Sequence, residues 1–188
     1  MPRDDTRKKK FHRIILAYPF VLAIIALAAN SLVFGVFPVS ASLPAQPVIL
    51  ALIASLLLLL ANHTWLMTST ELTRLKYGLH ATPEEWDASA SNRSDVSDEG
   101  IRELERRHNA HANATENTVH FALLAFLFSI VSPPPAAAIT WLVGFSLGRL
   151  GHTWSYLAGM DNARGLFMSI SLTSLYGLAG YLAIAAFL

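Results

Sequence analysis

The stretch Glu105-Arg106-Arg107-His108-Asn109-Ala110-His111-Ala112-Asn113-Ala114-Thr115-Glu116-Asn117 decides how this chain is read. It is dense in charged, histidine and asparagine side chains and feeds straight into the apolar segment 121–130. On a helix, Asn109, Asn113, Glu116 and His120 stand at i, i+4, i+7 and i+11, which places them on one face. Glu116 and Asn117 fall where such a helix enters a bilayer. A carboxylate there is costly unless it faces a partner or a wet cavity. This face is therefore expected to line a polar cleft between helices. The alternative is a helix with amphipathic cytoplasmic turns whose charges are simply solvated.

The rest of the chain supports the membrane setting. Of its 188 residues 53% are hydrophobic and only 14% charged, against about 25% charged in an average soluble domain. The mean hydropathy is +0.43. The length suits one ordinary domain. A net charge of +1 and modest Gly and Pro contents fit poorly with nucleic-acid binding, disorder or a collagen-like chain. The sequence has no cysteine, which excludes a disulfide scaffold, a thiolate metal site and a Cys nucleophile. Any thiol chemistry must use a ligand's thiol.

A spanning helix needs roughly 20 mostly apolar residues. Five segments qualify as expected spans: 14–37, 47–70, 116–132 with polar turns reaching back to about Ile101, 136–156 and 166–188. Pro38, Pro44, Pro47 and the triplet Pro133-Pro134-Pro135 mark connections, because proline breaks the helix ladder. The first span could be read as a cleaved signal peptide, but its apolar stretch is longer than a signal core of about 7–15 residues. A retained helix is the expectation. Arg7, Lys8, Lys9, Lys10 and Arg13 precede it. Every Lys and Arg lies in segment 1–13, the 71–115 region, the turn near 157–165 or the adjoining helix ends. Positive charge marks the cytoplasmic side, so the N-terminus is expected to be cytoplasmic. Loop 78–101 is long for a helix connection, and such loops are usually functional or mobile. Ser97 or Asp98 is placed to cap the following helix.

Two further clusters join the first. Arg149, His152 and Tyr156 fall at i, i+3 and i+7 on the fourth span, and Arg164 follows in the next turn. Arginine within a membrane helix marks a functional site by default, although Arg149 could also pair structurally with Glu116. Arg74 and Lys76 end the second span, where they could snorkel. Arginines suit carboxylates by bidentate pairing, and a Glu suits an ammonium. A tyrosine hydroxyl or an arginine that hydrogen-bonds a thiolate lowers its pKa. The implied ligand carries several carboxylates and an amine. Glutathione fits, though this chemistry alone does not single it out. His63 and Trp65 read as packing or interfacial groups, Trp141 as part of an aromatic belt, and Gly144, Gly148 and Gly151 as close helix contacts.

The run Glu105-Arg106-x-x-x-Ala110-His111-x-Asn113-x-x-Glu116-Asn117-x-x-x-Phe121 resembles the signature of the membrane-associated proteins in eicosanoid and glutathione metabolism, the MAPEG family. Arg74 followed by Ala81-Thr82-Pro83-Glu84-Glu85 is similar to the loop after that family's first helix, and Gly148-Arg149-x-x-His152-Thr153-x-x-Tyr156-Leu157 to its third. The resemblance covers about residues 47–188 and implies an all-α integral membrane protein. Its four-helix transmembrane bundle would occupy 41–188, with the cytoplasmic loop 78–101. Residues 1–40 would add a basic segment and one extra transmembrane helix. It further implies a homotrimer binding glutathione as co-substrate between subunits. Such a protein conjugates glutathione to lipophilic electrophiles or reduces lipid hydroperoxides, in a bacterial inner membrane or an endoplasmic-reticulum-type membrane. The candidate glutathione contacts are Arg74, Asn109, His111, Asn113, Glu116, Arg149 and His152. Arg164 and Tyr156 are the candidate catalytic pair, membrane lipids and a lipophilic substrate the expected partners, and no metal site is expected. The sequence departs from the family at Asn109, where an arginine is usual, at His120 in place of a proline and at Met168 in place of a tyrosine. The Asn109 departure motivates the alternative of a catalytically silent scaffold or lipid-binding protein. A metal-dependent oxygenase using His108, His111, His120 and His152 is the remaining alternative.

Overall fold

A computed structural model describes residues 2–188, with side chains from residue 8 onward, so the side chain of Arg7 lies outside the described residues. Each apolar run becomes helix, and no strand forms among the described residues. Helix α1 (Pro2–Ala29) closes in a π turn, Asn30–Phe34. Helix α2 (Gln46–Tyr77) starts with a proline in its first turn, where the missing N–H costs nothing. It ends at Gly78, whose φ of 64° takes the left-handed cap and whose N–H bonds Arg74 O. The connector holds α3 (Pro83–Ala88) and a 3₁₀ turn, Arg93–Asp95. Helix α4 (Asp98–Ile130) is capped by Ser97, whose Oγ accepts from Gly100 N at 3.1 Å. Helix α5 (Pro135–Ala138) continues through a second π turn, Ile139–Val143, into α6 (Gly144–Leu157). Helix α7 (Asp161–Phe187) completes the bundle.

Three of the five expected spans are long and apolar enough to cross a membrane on their own: Lys8–Phe34, Gln46–Tyr77 and Asp161–Phe187. The other two form helices of a different kind. The first half of α4 is charged and only its second half apolar, while the 135–157 helix is interrupted by its π turn. These helices make the chain a membrane protein.

The bundle closes on small residues and stacked rings. A Cβ added at Gly148 would lie 2.7 Å from Ser171 N, so α6 and α7 touch backbone to backbone there. Phe121 of α4 stacks on Phe145 of α6 at 4.1 Å, and Phe128 meets Tyr181 edge-on at 5.1 Å. Ser55 of α2 donates to Leu142 O at 2.8 Å and also bonds Ser146.

Helix α1 lies along α7. Tyr18 Oη and Ser169 Oγ share a 2.8 Å hydrogen bond. At the far end Asn30, fully buried, donates to Gly177 O and accepts from Trp141 Nε1–H, both at 2.8 Å. Trp141 is thus 5% exposed and packs edge-on against Phe34 at 5.4 Å. It is an interior anchor rather than the belt residue its position suggested, because α1 covers the surface it would otherwise present to lipid. The opposite side of α1 stays open, with Ile15, Phe20 and Ile24 each more than 60% exposed. The start of α1 and α7 and the ends of α2 and α6 gather with the first turns of α4 at one charged end.

Candidate functional site

The interior of the charged end is built on Arg149, which is fully buried. Its Nη2 donates to Asn113 Oδ1 at 2.6 Å and lies 3.5 Å from His152 Nδ1. Its Nη1 reaches Met168 Sδ at 3.7 Å, and its Nε has no partner. A buried guanidinium with one strong neutral acceptor and one free N–H is poised to take a further acceptor. The pairing considered from the sequence, Arg149 with Glu116, does not form. Glu116 lies about 60° around α4 from Asn113, on the exposed outer face, and makes no ion pair among the described residues.

A polar cleft of about 390 Å³ opens beside this interior, between α4 and the α6–α7 turn. Arg102, Arg106 and Arg164 supply positive charge, and Glu105, Asn109 and Asp161 the remaining polar wall. The Arg164 guanidinium lies over the Tyr156 ring at 5.0 Å and pairs with Asp161 at 3.1 Å. Tyr156 is one turn beyond His152, ring centroids 5.8 Å apart. Asn113, Arg149, His152, Tyr156 and Arg164 therefore form a continuous run of polar groups from the bundle interior into the cleft.

Arg106 reaches Leu157 O at 3.4 Å at the edge of the cleft and pairs with Glu103 at 3.6 Å, and Arg107 closes on the same carboxylate at 2.5 Å. That neighbouring guanidinium holds the Glu103 carboxyl below its usual range. Arg102 escaped the sequence reading. Its signal is the i, i+4 spacing to Arg106 on one helix face.

The outer face of α4 takes the remaining candidates. His111 and Glu116 line a shallow hollow of about 440 Å³ with His108 and Thr115. His111 Nε2 lies 3.2 Å from His63 Nδ1 of α2. Burial, then the nearby His63 and His108, lowers the His111 pKa. Arg74 pairs with Glu71 at 2.6 Å and reaches His108 Nε2 at 3.4 Å. The face predicted to line one cleft is thus divided: Asn113 turns inward, Asn109 edges the polar cleft, and Glu116 and His120 stay exposed. His120 Nδ1 folds back to Glu116 O at 2.9 Å. The four histidines weighed as metal ligands take four different partners, Arg74, His63, the Glu116 carbonyl and Arg149.

Comparison with known proteins places this arrangement. The sequence profile of the MAPEG family matches residues 49–184, from the start of α2 nearly to the end of α7, leaving α1 outside. Human microsomal glutathione S-transferase 1 is 28% identical over 122 residues, covering 62% of this chain and 77% of the human protein.

Proposed function

We propose, from the premise that the chain belongs to the MAPEG family, that it is a glutathione-dependent membrane enzyme. Its reactions are conjugation of glutathione to lipophilic electrophiles, reduction of lipid hydroperoxides, or both. The observation that carries this reading is the polar run from Asn113 through Arg149, His152 and Tyr156 to Arg164, ending in an arginine-rich cleft. Glutathione has two carboxylates, an ammonium and a thiol. Arg102 and Arg106 suit the carboxylates, Glu105 and Asp161 the ammonium. Arg164 and the Tyr156 hydroxyl are the donors for the thiolate, lowering its pKa by favouring the charged form. Catalysis then rests on positioning and on stabilised negative charge at sulfur. In conjugation the sulfur–carbon bond forms as the leaving group departs, and the thiol proton passes to water. In hydroperoxide reduction two glutathiones become the disulfide while the hydroperoxide becomes an alcohol and water.

His111 and Glu116 stand on the outer face, with Arg74 beside His108 there, away from Tyr156 and Arg164. The proposal therefore includes a homotrimer in which the outer face of one copy completes the cleft of the next. It also places the charged end in a reducing cytoplasm, following the distribution of Lys and Arg.

The test is equilibrium binding of glutathione to the protein in lipid nanodiscs, beside Glu116→Ala and the double variant Arg164→Ala/Tyr156→Phe. Saturable binding, weakened by Glu116→Ala, with turnover lost in the double variant, is expected. Turnover that survives the double variant contradicts the catalytic assignment. A folded parent that binds no glutathione leaves a non-catalytic membrane scaffold or lipid-binding protein, the reading that Asn109 favours in place of a cation.

A further inference from the structure

Helix α1 carries its charge and its apolar surface in one register. Lys9, Arg13, Leu16, Phe20 and Ile24 stand at i, i+4, i+7, i+11 and i+15, which keeps them within about 80° of one another around the helix axis. All five are exposed, and Leu16, Phe20 and Ile24 are so by 58%, 70% and 64%. The other side of α1 meets the bundle. There Tyr18 and Asn30 bond to α7, and Leu22 and Ala26 are buried. The outward stripe thus has cations at one end and bulky apolar side chains along the rest. Helices that associate in lipid meet through small or hydrogen-bonding residues, and α1 turns Ala26 and Asn30 toward its own bundle.

Depth and length fit a single lipid. The Tyr18–Ser169 bond fixes the level of α1 against α7. Arg13 lies five residues before Tyr18, and Arg164 five before Ser169. Both therefore stand about 7.5 Å beyond that bond, at the level of the arginine-rich cleft. From Arg13 to Ile24 is eleven residues, about 16 Å of helix. That is one leaflet of hydrocarbon, half of a core about 30 Å thick. Lys10 flanks Arg13 and is exposed too, and neither makes an ion pair among the described residues.

We propose that the outward face of α1 is a site for one anionic phospholipid. Lys10 and Arg13 hold its phosphate with Lys9 beside them, and an acyl chain lies along Leu16, Phe20 and Ile24. A basic stretch at the end of a spanning helix attracts anionic headgroups, roughly fivefold in affinity for each cation. Charge that only sets the orientation of the chain needs no apolar track in line with it; a lipid needs both. The site lies outside residues 49–184, which the family profile matches, and it does not rest on the glutathione reading.

The experiment is native mass spectrometry of the full chain released from detergent micelles. Dioleoyl phosphatidylglycerol and dioleoyl phosphatidylcholine are titrated separately. The parent is expected to retain one phosphatidylglycerol at least tenfold more tightly than phosphatidylcholine. In Lys10→Gln/Arg13→Gln the affinity for phosphatidylglycerol should fall at least tenfold while that for phosphatidylcholine stays within twofold. The exchange Lys10→Arg/Arg13→Lys should keep the preference. So should Lys76→Gln/Arg93→Gln, which removes two cations from the same end of the molecule but none from α1. Glycerol 3-phosphate, the headgroup without its chains, should not displace the lipid at equal concentration. Equal retention of the two lipids overturns the proposal, as does a preference that survives Lys10→Gln/Arg13→Gln. An equal loss in Lys76→Gln/Arg93→Gln reduces the effect to net charge and overturns the site. Displacement by glycerol 3-phosphate makes it a site for soluble anions and overturns the lipid as its occupant.

Discussion

Replacing Asn30 by alanine is expected to loosen the extra N-terminal helix from the bundle. Asn30 is fully buried and makes two 2.8 Å hydrogen bonds, to Gly177 O and from Trp141 Nε1. Interhelical hydrogen bonds in membranes average about 0.6 kcal/mol and reach about 1.7. Two of them contribute roughly 1–3 kcal/mol. The Gly177 carbonyl keeps its place in the α7 ladder, but the indole N–H of Trp141 is left buried without an acceptor. Such a stranded donor costs about 1–3 kcal/mol. The two estimates overlap because they count the same broken bond, so the expected loss is about 2–3 kcal/mol. The assay is unfolding in mixed micelles of rising SDS fraction, followed by tryptophan emission and far-ultraviolet circular dichroism. Trp141→Phe and the double variant complete a thermodynamic cycle. The double variant should be less destabilised than the sum of the singles by at least about 1 kcal/mol, because it removes the stranded donor together with its acceptor. A loss below about 0.5 kcal/mol for Asn30→Ala, with strictly additive singles, would refute the reasoning.

Other expectations concern the interior and the cleft. Gly148→Ala places a methyl 2.7 Å from Ser171 N and 3.0 Å from its Cα, so α6 and α7 must part. A loss of about 1–3 kcal/mol is expected, read as a lower Tm in detergent. Asn113→Ala removes the 2.6 Å acceptor of buried Arg149 and should cost about 1.5–3 kcal/mol, as for other hydrogen bonds to charge; Asn113→Gln is expected to recover part of it. Folded His111 holds its pKa below the ordinary 6.5, through burial first and then His63 and His108. Below that pH the unfolded chain binds the extra proton more readily, so stability is full above 6.5 and falls as the pH drops through it. Denaturation series at pH 7.5 and 5.5 should show this fall, and His111→Gln should flatten it.

Much of the fold was legible because lipid imposes a simple rule: an apolar run of sufficient length becomes a helix. Prolines 47 and 133–135 marked the breaks, and Ser97 caps α4 as its position promised. The glycines 144, 148 and 151 all stand at close contacts with α7. The candidate face of α4 was less legible. Asn109, Asn113, Glu116 and His120 do share a stripe, but it straddles the rim of the bundle, and helical spacing cannot say where a neighbouring helix cuts across it. Asn113 fell inside and Glu116 outside for that reason. Asn30 was silent in the sequence because a lone amide within an apolar run acquires meaning only when α7 and Trp141 approach it.

The π turn Ile139–Val143 has a bearing on how this bundle tolerates insertion and deletion. A π turn accommodates one residue more than an α turn. In a regular helix one residue more or less rotates everything after it by about 100° around the axis, but in a π turn the residue that closes the i→i+5 bond stands where the i+4 residue of an α turn would. Deleting one residue from the turn would restore a regular α-helix at little local cost and leave Arg149, His152 and Tyr156 facing as before. The bulge works as a phase buffer: it takes up one residue locally and keeps the side chains that the interior receives. Single-residue deletions at Ile139 or Thr140 should therefore leave both the helix content and the Arg149–Asn113 bond intact.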